Sequence, residues 1–105
     1  MDDYETASYF HKRCLDVSIE FKFTEGQAKA FKGLGICEER VYNKFEAEKN
    51  FETALEKAAE GGLEALSREI SQDLVRIYQL IAVQADQDGE SQFSLNYFGK
   101  CLEMA

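Results

Sequence analysis

The sequence has no proline and no tryptophan, and it has only one histidine and three cysteines among its 105 residues. Proline is the strongest helix breaker, so its absence favours long, uninterrupted helices. The longest apolar run is the four residues 80–83, which is too short to span a membrane. The acidic start, MDDYE, is unlike the basic start of a secretory signal peptide. An odd number of cysteines without such a signal predicts free thiols in a reducing cytoplasm.

Positive charge is also scarce, because 12 lysines and arginines stand against 20 aspartates and glutamates, for a net charge of −8. This balance argues against nucleic acid as the main partner, since phosphate binding needs a basic surface, and against an anionic membrane surface. His11 alone cannot form a histidine-based metal site or catalytic triad, and the two glutamates after Cys37 disfavour a reactive thiolate. Glu48, Glu52 and Glu56 have the spacing of one solvated helix ridge, not of an acid–base pair. We therefore expect no catalytic residue, no metal, no cofactor and no enzymatic activity.

What the chain does contain is 45% apolar residues, enough for one globular domain, and they recur in a repeated pattern. Three segments align without gaps: ETASYFHKRCLDVS from residue 5, FEAEKNFETALEKA from 45 and QFSLNYFGKCLEMA from 92. In each segment a small residue is followed four positions later by a ring, and three positions after that by a second small residue, so all three lie on one helical face. The three sets are Ala7, His11 and Cys14; Ala47, Phe51 and Ala54; and Ser94, Phe98 and Cys101. Because alanine fills the middle copy, we expect Cys14 and Cys101 to be buried, unpaired and small apolar groups.

A second helix precedes two of these segments. The stretch AKAFKGLGICEERVYNK from residue 28 aligns with VRIYQLIAVQADQDGES from residue 75. Gly35 lies inside the first stretch, and glycine within a helix costs about 1 kcal/mol relative to alanine. We therefore predict that the next helix crosses close to Gly35, near Ala47 or Phe51, and that alanine is tolerated there because Ala82 holds the equivalent position.

Local signals divide the chain into five helices. Asp2 with Glu5, and Thr24 with Gln27, have the spacing of a capping box. The pair of glycines at 61–62 and the stretch DQDGES indicate turns. We predict helices at 3–21, 25–42, 44–60, 63–86 and 90–105, which make two and a half helix pairs.

This pattern resembles the tetratricopeptide repeat (TPR), a family of stacked helix pairs. The segment FKGLG at 31–35, followed by Ala47, Phe51 and Ala54, is similar to the signature of that family. The last unit departs from the signature, because Ala82 replaces the glycine and Ser94 replaces an alanine.

The spacing between successive small positions is 40 and then 47 residues, longer than the usual repeat of about 34. It is similar to the long-spaced subclass found in LGN/Pins-type scaffolds. The resemblance implies an all-α solenoid of antiparallel helix–turn–helix repeats in which residues 1–105 form a single segment of a longer protein. It also implies apolar faces at the two ends, which makes self-association through them a further expectation.

In this family the first helix of each pair lines a concave groove, so the resemblance implies a partner-binding groove on the second and fourth predicted helices. The groove residues implied are Lys29, Lys32, Ile36, Glu39 and Arg40, then Arg76, Gln79, Val83, Asp86 and Gln87. Helical geometry agrees that residues 29, 32, 36 and 40 share a face, opposite Ala30, Leu34 and Cys37. The four cations on this surface favour an acidic peptide or helix as partner. The alternative is that these lysines only keep the helix soluble.

The carboxylate clamp of the family's chaperone-binding members is broken in this chain. Lys32 matches the first lysine of the clamp, but Ile36 stands in place of its asparagine and Leu80 in place of an arginine. We expect instead a cytoplasmic, non-enzymatic protein–protein interaction module of a larger scaffold, which binds a peptide or helix. The alternative is a structural solenoid segment inside a larger cytoskeletal or ciliary assembly, with no ligand of its own.

Overall fold

A computed structural model describes residues 4–104, which form five α-helices joined by turns of three residues. The helices are α1 (Tyr4–Glu20), α2 (Thr24–Arg40), α3 (Lys44–Glu60), α4 (Glu64–Gln87) and α5 (Ser91–Met104). Each helix packs against the next, which gives an all-α, repeat-like stack of 45 × 33 × 19 Å. Within residues 4–104 no strand occurs, and the predicted helix boundaries agree within two residues. The predicted ends at residues 3 and 105 lie outside the described residues.

The four turns share one backbone geometry. The middle residue of each turn is left-handed: Lys22 (φ 54°), Tyr42 (φ 62°), Gly62 (φ 65°) and Gly89 (φ 80°). In each turn, the N–H of the third residue donates to the carbonyl five positions earlier, as in the 2.7 Å bond from Phe23 to Ser18 and the 2.9 Å bond from Asn43 to Glu38. This is the Schellman arrangement, which satisfies carbonyls at a helix end with backbone donors. The same turn therefore ends each of the first four helices, whether or not the chain supplies glycine.

The predicted capping box at Thr24 and Gln27 is wrong. Thr24 is already the first helical residue of α2, and Phe23 occupies the N-cap position without a side-chain hydrogen bond. The side-chain amide of Gln27 donates instead to the carbonyl of Ser18, at 3.3 Å across the turn. The other predicted box lies outside the described residues, because they do not include Asp2.

The hydrophobic core lies between α2, α3, α4 and α5. Its largest fully buried side chains are Phe51, Ile70, Leu74, Ile77 and Ile81. The predicted helix crossing is confirmed, because a Cβ added at Gly35 would lie 2.7 Å from the ring of Phe51. By contrast, the buried residues of α1 are only Ser8 and Ser18. Helix α1 therefore adds little to the core.

The repeated positions are buried to different degrees. Ala54 is fully buried and Cys101 is buried, but Cys14 is only half-buried, so the prediction that it is buried is wrong. All three cysteines are unpaired, as expected. The ring of Phe51 is fully buried, whereas Phe98 is 39% exposed. The difference arises because α3 lies between two helices, whereas α1 and α5 each have a neighbour on one side only.

Candidate functional site

The residues predicted to form the groove lie on two helices that side-chain ion pairs join. We call this surface the α2–α4 face and define it by Lys29, Lys32, Ile36 and Arg40 of α2 with Arg76, Gln79 and Val83 of α4. The ammonium of Lys32 lies 3.3 Å from Oδ2 of Asp73, and Nε of Arg76 lies 2.6 Å from Oε2 of Glu39. Both pairs link α2 to α4, so the structure brings the two halves of the predicted surface together.

Lys29, Lys32 and Arg76 of this face are paired with carboxylates. Arg76 binds Glu39 through two nitrogens, at 2.6 and 2.7 Å, and these hydrogen bonds raise the pKa of the guanidinium. Nη2 of Arg76 also lies 3.1 Å from Oδ1 of Asp73. Lys29 pairs with Glu25 at 2.9 Å. The α2–α4 face therefore carries both signs of charge, where sequence reasoning gave weight only to its cations.

The ion pairs differ in how accessible they are. The side chains of Lys32 and Asp73 are 21% and 12% exposed, so water screens this pair only partly. The side chains of Lys29 and Glu25 are 62% and 43% exposed and lie one helical turn apart, so water screens this pair and it adds little stability. Lys32 therefore helps to hold α2 against α4, whereas Lys29 can leave Glu25 for another carboxylate at little cost in free energy.

The α2–α4 face also has an apolar part. Leu80 and Val83 of α4 are 44% and 46% exposed and lie three positions apart, hence on neighbouring points of one helix surface. Gln79 beside them is exposed, and Ile36 is half-buried against the core. The α2–α4 face therefore carries the exposed apolar Val83, with Leu80 adjoining it, in addition to its charged residues.

A second surface, which sequence reasoning did not single out, lies between α1 and α2. It is a groove of about 690 Å³, which we call the α1–α2 groove. It is lined by Phe10, His11, Arg13, Cys14, Val17 and Ser18 on the α1 side and by Phe23, Gly26, Lys29 and Ala30 on the α2 side. Five of these ten residues are apolar, and Arg13 and Lys29 add two positive charges. The sequence did contain a signal for this groove, because α1 has apolar residues such as Phe10 and Val17. The structure leaves them exposed and buries only Ser8 and Ser18 of this helix.

Two glutamates of the predicted solvated ridge belong to a polar cluster between α3, α4 and α5; Glu48 is buried, against the prediction, whereas Glu52 is exposed. The hydroxyl of Tyr97 donates to the buried Glu48 at 3.0 Å, and the hydroxyl of Tyr78 donates to Glu52 at 2.7 Å. The ammonium of Lys100 lies 3.4 Å from Glu48 and 4.6 Å from the ring centre of Tyr97. Burial and the bond to Glu48 raise the pKa of Tyr97 to about 12. The cluster therefore ties three helices together.

The environments of Cys37 and Cys101 disfavour the reactive thiolate form. Burial raises the pKa of Cys37 and of Cys101, which keeps both as thiols near neutral pH. Within residues 4–104, no three His, Cys, Asp or Glu side chains are placed to hold a metal ion. None of the described helices is both long and apolar enough to cross a membrane.

No protein-family model matches this chain, and no curated protein matches it significantly. The resemblance to the tetratricopeptide repeat therefore rests on the sequence pattern alone.

Proposed function

We propose that this chain is a non-enzymatic protein-interaction module of the tetratricopeptide type, and that its α2–α4 face binds a peptide or helix of a partner protein. The observation that carries the proposal is the exposed apolar pair Leu80 and Val83 on a helix that also bears charged residues of this face. Protein interfaces usually combine apolar contacts with polar and charged ones. The repeat-like all-α stack supports it, because such stacks present continuous surfaces to partners.

The charges of the face define the chemistry of the partner. Lys32 and Arg76 are occupied by Asp73 and Glu39, so they offer little to a partner carboxylate. Lys29 is held only by an exposed pair and can accept an acidic group. The proposed partner segment thus has an apolar anchor for Leu80 and Val83 and an acidic residue that reaches Lys29.

The rival proposal is a structural segment whose helices serve only to extend a larger assembly. The ion pairs between α2 and α4 favour it, because they stabilise the stack without any ligand. In that case the α2–α4 face has no partner of its own.

Site-specific photo-crosslinking separates the two proposals. A photoreactive phenylalanine analogue replaces Val83 in one sample and Leu95 of α5 in the control; both positions are exposed and apolar in the native chain. The interaction module predicts a protein that is crosslinked at position 83 and not at position 95. Identical products at the two positions would leave only the structural segment.

Binding of the partner identified in this way is then measured with purified protein. Val83→Asp should weaken binding by about tenfold or more, because it removes an apolar contact and places a carboxylate at the interface. Leu95→Asp should leave binding unchanged. Lys29→Glu should remove most of the salt dependence, since exposed charges are screened over about 8 Å at physiological ionic strength. Equal affinities for Val83→Asp and Leu95→Asp would contradict the assignment of the face.

A further inference from the structure

The α1–α2 groove has a counterpart inside the same chain, on α3 and α4. Residues of α1 and α3 correspond at an offset of 40, and those of α2 and α4 correspond at an offset of 47. On the first side, the groove residues His11, Cys14 and Ser18 correspond to Phe51, Ala54 and Ala58. On the second side, Phe23, Gly26, Lys29 and Ala30 correspond to Ile70, Asp73, Arg76 and Ile77.

A helix covers this counterpart surface, and that helix is α2. The ring of Phe51 lies against Gly35 of α2, while Asp73 and Arg76 form ion pairs with residues of α2. The apolar counterparts are all 0% exposed: Phe51, Ala54, Ala58, Ile70 and Ile77. Helix α2 therefore contributes to the burial of this surface, with direct contact at Phe51.

The α1–α2 groove presents the equivalent surface to solvent. His11 and Cys14 are half-buried, and Val17 is 47% exposed. The ring of His11 lies against Gly33 of α2 and forms part of the groove wall, and burial lowers its pKa, so that it is neutral near pH 7. Cys14 stands in the position of the fully buried Ala54. The groove therefore has residues at the positions that contact a packed helix in the α3–α4 counterpart.

We propose that the α1–α2 groove docks an amphipathic α-helix of a partner protein, seated as α2 is seated on α3 and α4. Lys29 corresponds to Arg76, which binds Glu39 of α2. The docked helix therefore carries an acidic residue at the position of Glu39, where it reaches Lys29. Gly26 corresponds to Asp73, which binds Lys32 of α2. The docked helix needs no lysine at that point, because Gly26 offers no carboxylate.

The charge of the groove agrees with such an occupant. Arg13 and Lys29 line it although the chain has a net charge of −8. An acidic helix would gain attraction to both cations, whereas a basic helix would meet two like charges. The groove shares Lys29 with the α2–α4 face but includes neither Leu80 nor Val83, so a variant at Val83 distinguishes the two proposals.

The probe for this site is a synthetic peptide with the sequence of α2, TEGQAKAFKGLGICEER, because α2 is the helix that fits the counterpart surface. The peptide carries Cys37→Ala, so that only the thiols of the chain react with the reagent. A peptide of this length is only marginally helical in water, so it carries a staple on its solvent face. The readout is the rate at which a thiol reagent alkylates Cys14 in the intact chain, followed by mass spectrometry. Cys37 and Cys101 of the chain are buried and serve as internal references. Saturating peptide should slow the alkylation of Cys14 about tenfold.

A pair of variants on the same helix tests the place of binding. Val17 lines the groove, while Ile19 is similarly exposed two positions later and does not line it. Val17→Asp should weaken peptide binding about tenfold, because the new carboxylate would be buried in the interface. Ile19→Asp should not change it. Val83→Asp should not change it either, which separates this proposal from that for the α2–α4 face.

Charge reversal tests the predicted orientation of the docked helix. The peptide with Glu39→Lys should bind more weakly to the native chain, and the chain variant Lys29→Glu should restore its binding. Equal affinities in all four combinations would overturn the orientation on which the proposal depends.

Three other outcomes would also overturn the proposal. Failure of the peptide to protect Cys14 would mean that the groove does not seat a helix. Faster alkylation of Cys37 in the chain would mean that the peptide had displaced α2 instead of occupying the groove. Protection of Cys14 that rises with chain concentration, without peptide, would make a second copy of the chain the occupant instead of a partner.

Discussion

Replacement of Gly35 by alanine tests the close approach of α2 and α3. The added Cβ would lie 2.7, 2.8 and 3.0 Å from three ring carbons of Phe51. Because Phe51 is fully buried, its ring cannot move aside without disturbing the core. Overpacking of this kind costs about 1–3 kcal/mol, while the better helix propensity of alanine returns about 1 kcal/mol. Gly35→Ala should therefore lower the free energy of unfolding by up to about 2 kcal/mol. The sequence predicted that alanine is tolerated at this position, but the distances to Phe51 predict a loss of stability.

Gly99 of α5 supplies the matched control. It also lies within a helix, but a Cβ added there would meet no atom within 4 Å. Gly99→Ala should raise the free energy of unfolding by about 0.5–1 kcal/mol, from helix propensity alone. The difference between the two variants isolates the packing cost at Gly35.

Urea unfolding followed by circular dichroism measures both variants. A change of 1 kcal/mol should also shift the melting temperature by about 4–8 °C for a domain of this size. In a Phe51→Leu background the clash is relieved, so Gly35→Ala should there become neutral or stabilising. If Gly35→Ala is as stabilising as Gly99→Ala in the native background, the reasoning from the Phe51 contact is wrong.

Three further predictions concern a turn, a tyrosine and the thiols. Tyr42→Gly should raise the free energy of unfolding by about 0.5–1 kcal/mol in urea titrations, because Tyr42 is left-handed and exposed. A side chain in that conformation costs about 1–2 kcal/mol, and glycine removes this cost but loses part of the gain to backbone entropy. A loss of stability would contradict this. The pKa of Tyr97 is raised to about 12 by burial and by its bond to Glu48, so the folded state holds the proton above pH 10, where the unfolded tyrosine loses it. Stability should therefore fall between about pH 10 and pH 12 in a urea series, less so in Tyr97→Phe, and an identical fall in that variant would exclude Tyr97 as the cause. Cys14 should react with a thiol reagent before Cys101, which is buried and has a raised pKa, and equal rates would contradict the difference in burial.

The helices could be predicted because their signals are local. Apolar residues with helical periodicity, the absence of proline and the glycines at 61–62 and 89 place most boundaries within two residues. The details of the helix ends could not be predicted, because the turns at Lys22 and Tyr42 are stabilised by backbone hydrogen bonds that leave no mark on side-chain choice. For the same reason Thr24 suggested a cap that the structure does not use.

The crossing at Gly35 was predictable because glycine within a helix is unfavourable unless a neighbouring helix needs the space. The repeat pointed to Ala47 or Phe51 as the facing residue, and the structure shows that it is Phe51. The ion pairs between α2 and α4 could not be predicted, because Asp73 and Lys32 come together only when the two helices lie side by side. One signal was available: Asp73 precedes Arg76 by three positions, the spacing of a pair on one helix surface. Glu48 was misjudged because its partner Tyr97 lies on another helix.

Helix α1 differs from the other helices in burying no large apolar side chain. The four helices α2 to α5 share the large buried side chains, whereas α1 buries only Ser8 and Ser18 and leaves its apolar residues in or beside the α1–α2 groove. Burial of apolar surface is the main favourable term in packing a helix, so α1 is held more weakly than its neighbours. Any ligand that binds the folded groove must also stabilise α1, since binding to the folded state alone shifts the equilibrium toward it. The order of α1 and the occupancy of the α1–α2 groove are therefore expected to be linked, while the α2–α4 face is built on helices that contribute residues to the buried core.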